Sequence, residues 1–141
     1  MPTLTLDQAQ AALRGALQAA RSHQFRPMAI VVVDAAGTVI TAAREDGATA
    51  LRMTIATGKA CAAIGMGANT RLLAKKASEM PAFFGSIATS SSHPFIPQTG
   101  AMLVLDASGN VLGAIGASGG TGDEDELIVT AGIDSAGLAA R

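Results

Sequence analysis

The sequence predicts one α+β domain in which helices pack on an antiparallel sheet, and three observations carry that prediction. A turn motif occurs twice. Val31-Val-Val-Asp-Ala-Ala-Gly-Thr-Val-Ile40 and Leu103-Val-Leu-Asp-Ala-Ser-Gly-Asn-Val-Leu112 share an apolar triplet, Asp-Ala-x-Gly-x and an apolar pair. Each reads as a hairpin, because Asp can cap the turn with its side chain and Gly tolerates positive φ. Both duplication and convergence on a favoured turn explain the repetition. The second observation is helical spacing of apolar residues on either side of the hairpins. The third is length: 141 residues hold one real core and not two ordinary ones, so residues 1–141 form a single domain.

The elements follow in order. Leu6, Ala9, Leu13, Ala16, Leu17 and Ala20 recur at helical spacing, which predicts a first helix over Leu6 to Ser22 with Thr5 as its N-cap. Pro27 breaks the chain before the β-branched run Met28-Ala-Ile-Val-Val-Val33, suited to a buried strand. Thr38 to Ala43 returns from the first turn. A second helix is predicted from Thr49 to Met66, with Met53, Ala56, Thr57, Ala60 and Ile64 facing the core, Arg52 and Lys59 on the other side, and Gly65 and Gly67 ending it. Thr70 opens a shorter helix to Met80, stopped by Pro81. The stretch from Pro81 to Gln98, with three prolines and Ser90-Ser-Ser92, reads mainly as loop. Strands at Ala101–Leu105 and Val111–Ala117 flank the second turn, and a last helix is predicted from Asp123 to Ala139.

Hydrophobic residues make up 49% of the chain and charged residues 15%, which excludes intrinsic disorder. So little charge leaves apolar surface to bury between copies, so a homo-oligomer is expected. The net charge is −1, and the ten basic residues are scattered rather than clustered. Neither nucleic acid nor anionic lipid finds its electrostatic footprint here. The aromatic residues are four Phe, without Trp or Tyr, so there is no platform for base stacking. One cysteine, Cys61, cannot form an intramolecular disulfide and fits a reducing compartment. The start MPTLTLDQAQ lacks a basic n-region, and no apolar run reaches the length of a membrane span. A cytoplasmic protein, with no membrane partner, is expected.

Read in order, Ile30-Val-Val-Val-Asp34 with Gly37, Arg44-Glu-Asp-Gly-Ala48, Lys59-Ala60, Thr70 with Leu73, and Val111-Leu-Gly-Ala-Ile-Gly-Ala-Ser-Gly-Gly120 followed by Asp123 and Asp125 resemble the HbpS/GlcG-like haem-binding family. That family includes the C-terminal domain of PduO-type cobalamin adenosyltransferases. The matches run from about Ala29 to Gly132. The resemblance implies a five-stranded antiparallel sheet flanked by helices, of profilin/PAS-like architecture, and tetramers or octamers. It also implies haem binding in some members. In one place the chain departs from the family: Thr99-Gly-Ala-Met-Leu103 stands where the family usually has Gly-Gly-x-Pro-Ile, which alters the backbone near the expected pocket.

Several residues are candidates for the chemistry. His23 either extends the apolar stripe of the first helix toward a pocket, where the resemblance implies a haem-iron ligand, or sits at the helix end and interacts with its dipole. The stretch Gly113 to Glu126 has glycines, including Gly119 and Gly120, that allow backbone N–H groups to converge on a carboxylate or phosphate ahead of a helix N-terminus. Alternatively, Asp123, Glu124 and Asp125 already neutralise that terminus and the glycines serve close packing. A metal site on those acids is disfavoured, because consecutive helical residues point in different directions. Arg44, Asp46, Arg52 and Lys59 form either an ion-pair network or an anion clamp. His93 before Pro94 reads as a solvated loop residue. Ser92, His93 and Asp106 lack the nucleophile elbow of a triad enzyme, and Cys61 in an alanine-rich helix reads as a small buried thiol.

Two functions follow as expectations. The first is a small-molecule-binding oligomer that holds haem or a related tetrapyrrole for storage, sensing or degradation, with His23 on the metal and Arg44, Lys59, Gly119 and Gly120 on the cofactor. The second is an enzyme acting on a small organic acid by hydrolysis, isomerisation or decarboxylation. In it Arg44 and Lys59 bind the carboxylate, and Asp46 or Asp123 moves protons.

Overall fold

The two repeated turns build the middle of the sheet. The computed structural model describes residues 2–140. Strands β1 (Ala29–Asp34) and β2 (Val39–Arg44) form one hairpin, and β3 (Ala101–Leu105) and β4 (Val111–Ser118) form the other. In the first turn the Asp34 N–H donates to the Thr38 carbonyl at 2.9 Å, and in the second the Asp106 N–H donates to the Asn110 carbonyl at 3.0 Å. The carboxylate of Asp34 accepts from the N–H groups of Ala36 and Thr38, and that of Asp106 from Ser108 and Asn110. Gly37 and Gly109 take φ of 82° and 84°, where a side chain would be strained. Both hairpins also carry a register shift at the equivalent point, between Val32 and Val33 and between Val104 and Leu105. Three-residue hairpin loops of this kind match the twist of the strands they join.

Inner strands β1 and β4 pair antiparallel, fusing the hairpins into one sheet of order β2-β1-β4-β3-β5. The fifth strand, β5 (Ala139–Ala140), pairs with the end of β3. The sequence reading extended the last helix through Ala139, and the structure corrects this. Helix α5 (Gly122–Ser135) stops where Gly137 adopts φ 71° and the Leu138 N–H closes back on the Ile133 carbonyl. The remaining outer edge of β3 is covered by polar side chains. Thr70 Oγ1 binds both the N–H and the carbonyl of Ala101, and Asn69 Oδ1 accepts from the Leu103 N–H. These contacts seal an edge that would otherwise offer unpaired backbone groups.

The sheet is buried on both faces. Ile30, Val32, Val104 and Ile115 face helix α1 (Leu6–Ser22) and α5, while Ala29, Val31, Val33, Leu103 and Ala114 face helix α2 (Leu51–Met66). This is why β1 reads as an unbroken apolar run rather than an alternating one. Each fully buried Val or Ile contributes about 1.5–3 kcal/mol of hydrophobic stabilisation.

Pro81 ends helix α3 (Thr70–Glu79) as expected, yet it also begins helix α4 (Pro81–Ser90), which replaces the predicted loop. Proline is favoured at a helix N1 position, where its absent N–H is not needed. Phe84 anchors α4 by packing with Leu73 and Ala62. Only the residues after Ser90 form the loop that leads back to β3. Among the described residues no helix is long and apolar enough to cross a membrane.

Helix α1 closes its N-terminus with Thr5, as predicted, in a capping box with Gln8. Its C-terminus is less comfortable. The Phe25 N–H returns to the Ala20 carbonyl and the Gln24 N–H to the Arg21 carbonyl, which places Gln24 at φ 57°. At the end of α5 the same position holds Gly137. Gln24→Gly is therefore expected to raise the unfolding free energy by about 1 kcal/mol, read from the urea midpoint at unchanged m-value. A lowered midpoint would show that the Gln24 side chain contributes more than its backbone costs.

Candidate functional site

Three clefts open around the end of the sheet where α1, β2 and the β4–α5 connection meet, and they divide the predicted site residues among them. The first, of about 490 Å³, is lined by Leu17, Arg21, Pro27, Ala43 and Arg44 to Asp46. Here the organising acid is Glu45. It accepts from the Met28 N–H at 2.9 Å and pairs with Arg21 at 2.9 Å. Arg44 donates to the Ala48 carbonyl at 2.7 Å, and Asp46 is exposed. The ion pair of this corner is Arg21–Glu45, and neither Arg44 nor Asp46 forms one among the described residues.

The second cleft, about 500 Å³, is lined by His23, Gln24, Phe25, Arg26, Gly120, Thr121 and Glu124. The histidine is the C-cap of α1, and its Nδ1 lies 2.9 Å from the Ala19 carbonyl. A carbonyl only accepts, so Nδ1 is the donor, and in the neutral ring Nε2 is the nitrogen that holds the lone pair. Phe25 stacks on the imidazole at 5.1 Å, with 25° between the rings, and holds its plane. The structure therefore places His23 at the helix end, exposed, on the wall of a cleft.

The third cleft, about 440 Å³, is lined by Arg52, Ile55, Lys59, Ile96, Gln98, Thr99, Ser118, Gly120, Gly122 and Asp125. Lys59 was expected on the outer face of α2. It is instead buried, with its side chain 7% exposed, and it forms a 2.9 Å ion pair with Asp125, whose side chain is 2% exposed. The ammonium also donates to the Ala117 carbonyl at 3.0 Å. Gly100 makes this possible, because a Cβ there would lie 2.7 Å from the Lys59 nitrogen and 2.9 Å from Asp125 Cβ. Burial raises the Asp125 carboxyl above the ordinary carboxylate range, against the opposing pull of Lys59. Thr99, where a glycine is expected from the resemblance, lines this cleft.

The glycine stretch does not form an open anion nest. The Gly120 N–H donates to Asp125 Oδ1, the Thr121 N–H to Glu124 Oε1, and the Glu124 N–H to Thr121 Oγ1. The acids of α5 thus consume the donors that an external anion needs, and Gly119 packs against the Pro27 carbonyl and Met28. Nor do the predicted proton-transfer acids gather. Asp46 stays with Arg44, while Asp123 is 83% exposed and pairs with Arg71, which also binds Glu126 at 3.1 Å. Arg44 and Lys59 line different clefts. The acid missed as the partner of Lys59 is Asp125. Helical spacing pointed to it, since it precedes the core residues Ile128 and Val129 by three and four positions.

On the opposite side of α2, Cys61 is buried next to Gly37 and shares a cleft of about 220 Å³ with His93 and Met66. Burial raises its thiol pKa, which is the behaviour of a structural cysteine. Asp106 spends its carboxylate on its own turn, where hydrogen bonds from Asn110 hold its pKa below the usual range, and no triad with His93 forms. Among the described residues no cluster of three or more His, Cys, Asp or Glu could hold a metal ion.

This architecture recurs in solved structures. The crystal structure of the PduOC–haem complex superposes with a TM-score of 0.87 at 23% identity, covering 99% of each chain. Klebsiella pneumoniae protein ORFY gives 0.86 at 24% identity, covering 97% of this chain and 92% of that one. A doubly substituted variant of HbpS from Streptomyces reticuli gives 0.83 at 30% identity, covering 95% of this chain and 87% of its own. No curated protein matches the sequence. The family model described as haem-degrading protein, HbpS-like, matches residues 4–134. From that match over nearly the whole sequence, together with the HbpS likeness, the chain belongs to the HbpS-like family.

Proposed function

We propose that this protein binds haem, or a closely related tetrapyrrole, at the His23 cleft, as a cytoplasmic homo-oligomer engaged in tetrapyrrole storage, sensing or degradation. The observation that carries the reading is the Nδ1 contact of His23 with the Ala19 carbonyl. It fixes the tautomer in which Nε2 can ligate iron, and a second hydrogen bond of this kind is the usual support of a metal-bound histidine. Phe25 supplies an apolar ring beside the imidazole, and exposed Arg26 in the same cleft suits a propionate. Family membership and the haem complex of PduOC support the same ligand. Haem iron would supply redox and oxygen chemistry, while these residues would bind and orient the ring. Exposed apolar side chains such as Leu51, Phe83 and Val39 support the oligomer.

Haem titration tests the proposal. The wild type is expected to give a saturable Soret shift near stoichiometric haem, and His23→Ala to lose it, while His93→Ala retains it. A Soret spectrum identical in wild type and His23→Ala would rule out this site.

A further inference from the structure

We infer that the cleft between α2 and the β4–α5 connection is a second ligand site, independent of the haem reading, and that it takes a small monocarboxylate with an apolar tail. Three features lead there. The first is charge. Arg52 and Lys59 face one acid, Asp125, so the lining carries a net charge of +1. That balance suits one carboxylate and disfavours a dianion.

The second feature is an underused donor. The partly buried Arg52 guanidinium makes one long hydrogen bond, 3.4 Å to Ser118 Oγ, and no ion pair among the described residues. A guanidinium has five N–H donors in a planar fork that matches a carboxylate. Lys59, by contrast, is held by Asp125 and Ala117, which keeps positive charge at the back of the cleft without letting the ammonium swing out. Arg52 would take the carboxylate, with Ser118 Oγ beside it.

The third is the apolar part of the lining. Ile55, one turn along α2 from Arg52, and Ile96 supply it, and Ile96 is locked in place because its N–H donates to the Gly58 carbonyl at 3.1 Å. Its side chain packs directly over Gly58, where a Cβ would lie 2.7 Å from Cγ1. An apolar tail would rest on these two side chains, and Gln98 and Thr99 at the mouth would accommodate a hydroxyl or keto oxygen. Phosphate has no use for the apolar wall and brings a second charge toward Asp125.

Calorimetric titration of the whole chain with propionate, isobutyrate and benzoate tests the site, with succinate, inorganic phosphate and propionamide as comparisons. The expected result is saturable binding of at least one monocarboxylate and none of the amide. Arg52→Gln is expected to weaken that binding at least tenfold, while its thermal midpoint and haem titration stay those of the wild type. Gly58→Ala, which displaces Ile96, is expected to change the order of preference among the three tails. Failure of every monocarboxylate to bind the wild type overturns the inference, as does binding that Arg52→Gln leaves intact. Tighter binding of succinate or phosphate overturns the assigned class. Loss of the Soret shift in His23→Ala bears only on the haem reading.

Discussion

Replacing Lys59 by Met is expected to lower the unfolding free energy by about 3–5 kcal/mol, because it leaves the Asp125 carboxylate buried without its ion-pair partner. The pair is 2.9 Å apart and almost wholly removed from water, so no solvent replaces the lost partner. The double variant Lys59→Met, Asp125→Leu is expected to recover most of the loss, since an apolar pair of similar volume avoids the desolvation of both ions. Urea denaturation of the four species closes the cycle and gives the coupling directly. If the double variant is as unstable as the two single losses added together, the cavity or the Gly120 contact matters more than the charges.

The same variant has a signature in pH. Burial already raises the Asp125 carboxyl in the folded protein, and removing Lys59 removes the attraction that opposes this rise. A carboxyl with a folded pKa above its unfolded value binds more protons when native. Stability from this group therefore increases as pH falls through the folded pKa, and levels off below the unfolded value of about 3.9. The deficit of Lys59→Met relative to wild type is accordingly expected to shrink in acid. A deficit equal at pH 8 and pH 5 would mean that Asp125 charge is not its cause.

Gly116→Val is expected to cost about 3 kcal/mol, for a reason that lies in backbone rather than charge. A Cβ at Gly116 would sit 2.6 Å from the Ala56 carbonyl oxygen and 3.0 Å from the Ala60 nitrogen, both in the backbone of α2. Neither can move as a side chain can, so the helix must lift from β4. Because α2 carries Arg52 and Lys59, the monocarboxylate site is expected to fail in the same variant, while the haem spectrum at the His23 cleft persists below the lowered melting temperature. Gly65→Ala on the same helix has nothing within 4 Å of the added carbon and serves as the comparison. It is expected to gain up to about 1 kcal/mol from helix propensity. Equal thermal midpoints for the Gly116→Val and wild-type proteins would show that α2 is not seated as closely as this.

The local signals were strong where a residue's partners lie within a few positions of it. The two Asp-Ala-x-Gly turns, the Thr5 cap and the apolar run of β1 all form as read, because each draws its hydrogen bonds or its buried faces from a short pattern. Helix α4 was hidden because proline stops one helix and starts another with the same ring. Strand β5 was hidden because two residues carry no periodicity, and only the open edge of β3 makes them a strand.

The site divides along the same line. By itself the sequence determined the antiparallel α+β sheet, its paired hairpins and the short set of polar residues from which any site must be drawn. Tertiary structure alone decided how that set is partitioned. It set His23 across a cleft from Gly120 and Glu124, kept Arg44 and Asp46 in their own corner, turned Asp123 out to Arg71, and drove Lys59 inward onto Asp125. The reason is that a charge is buried or exposed according to what stands opposite it. For Lys59 that partner lies 66 residues away, on a helix brought over it by the sheet.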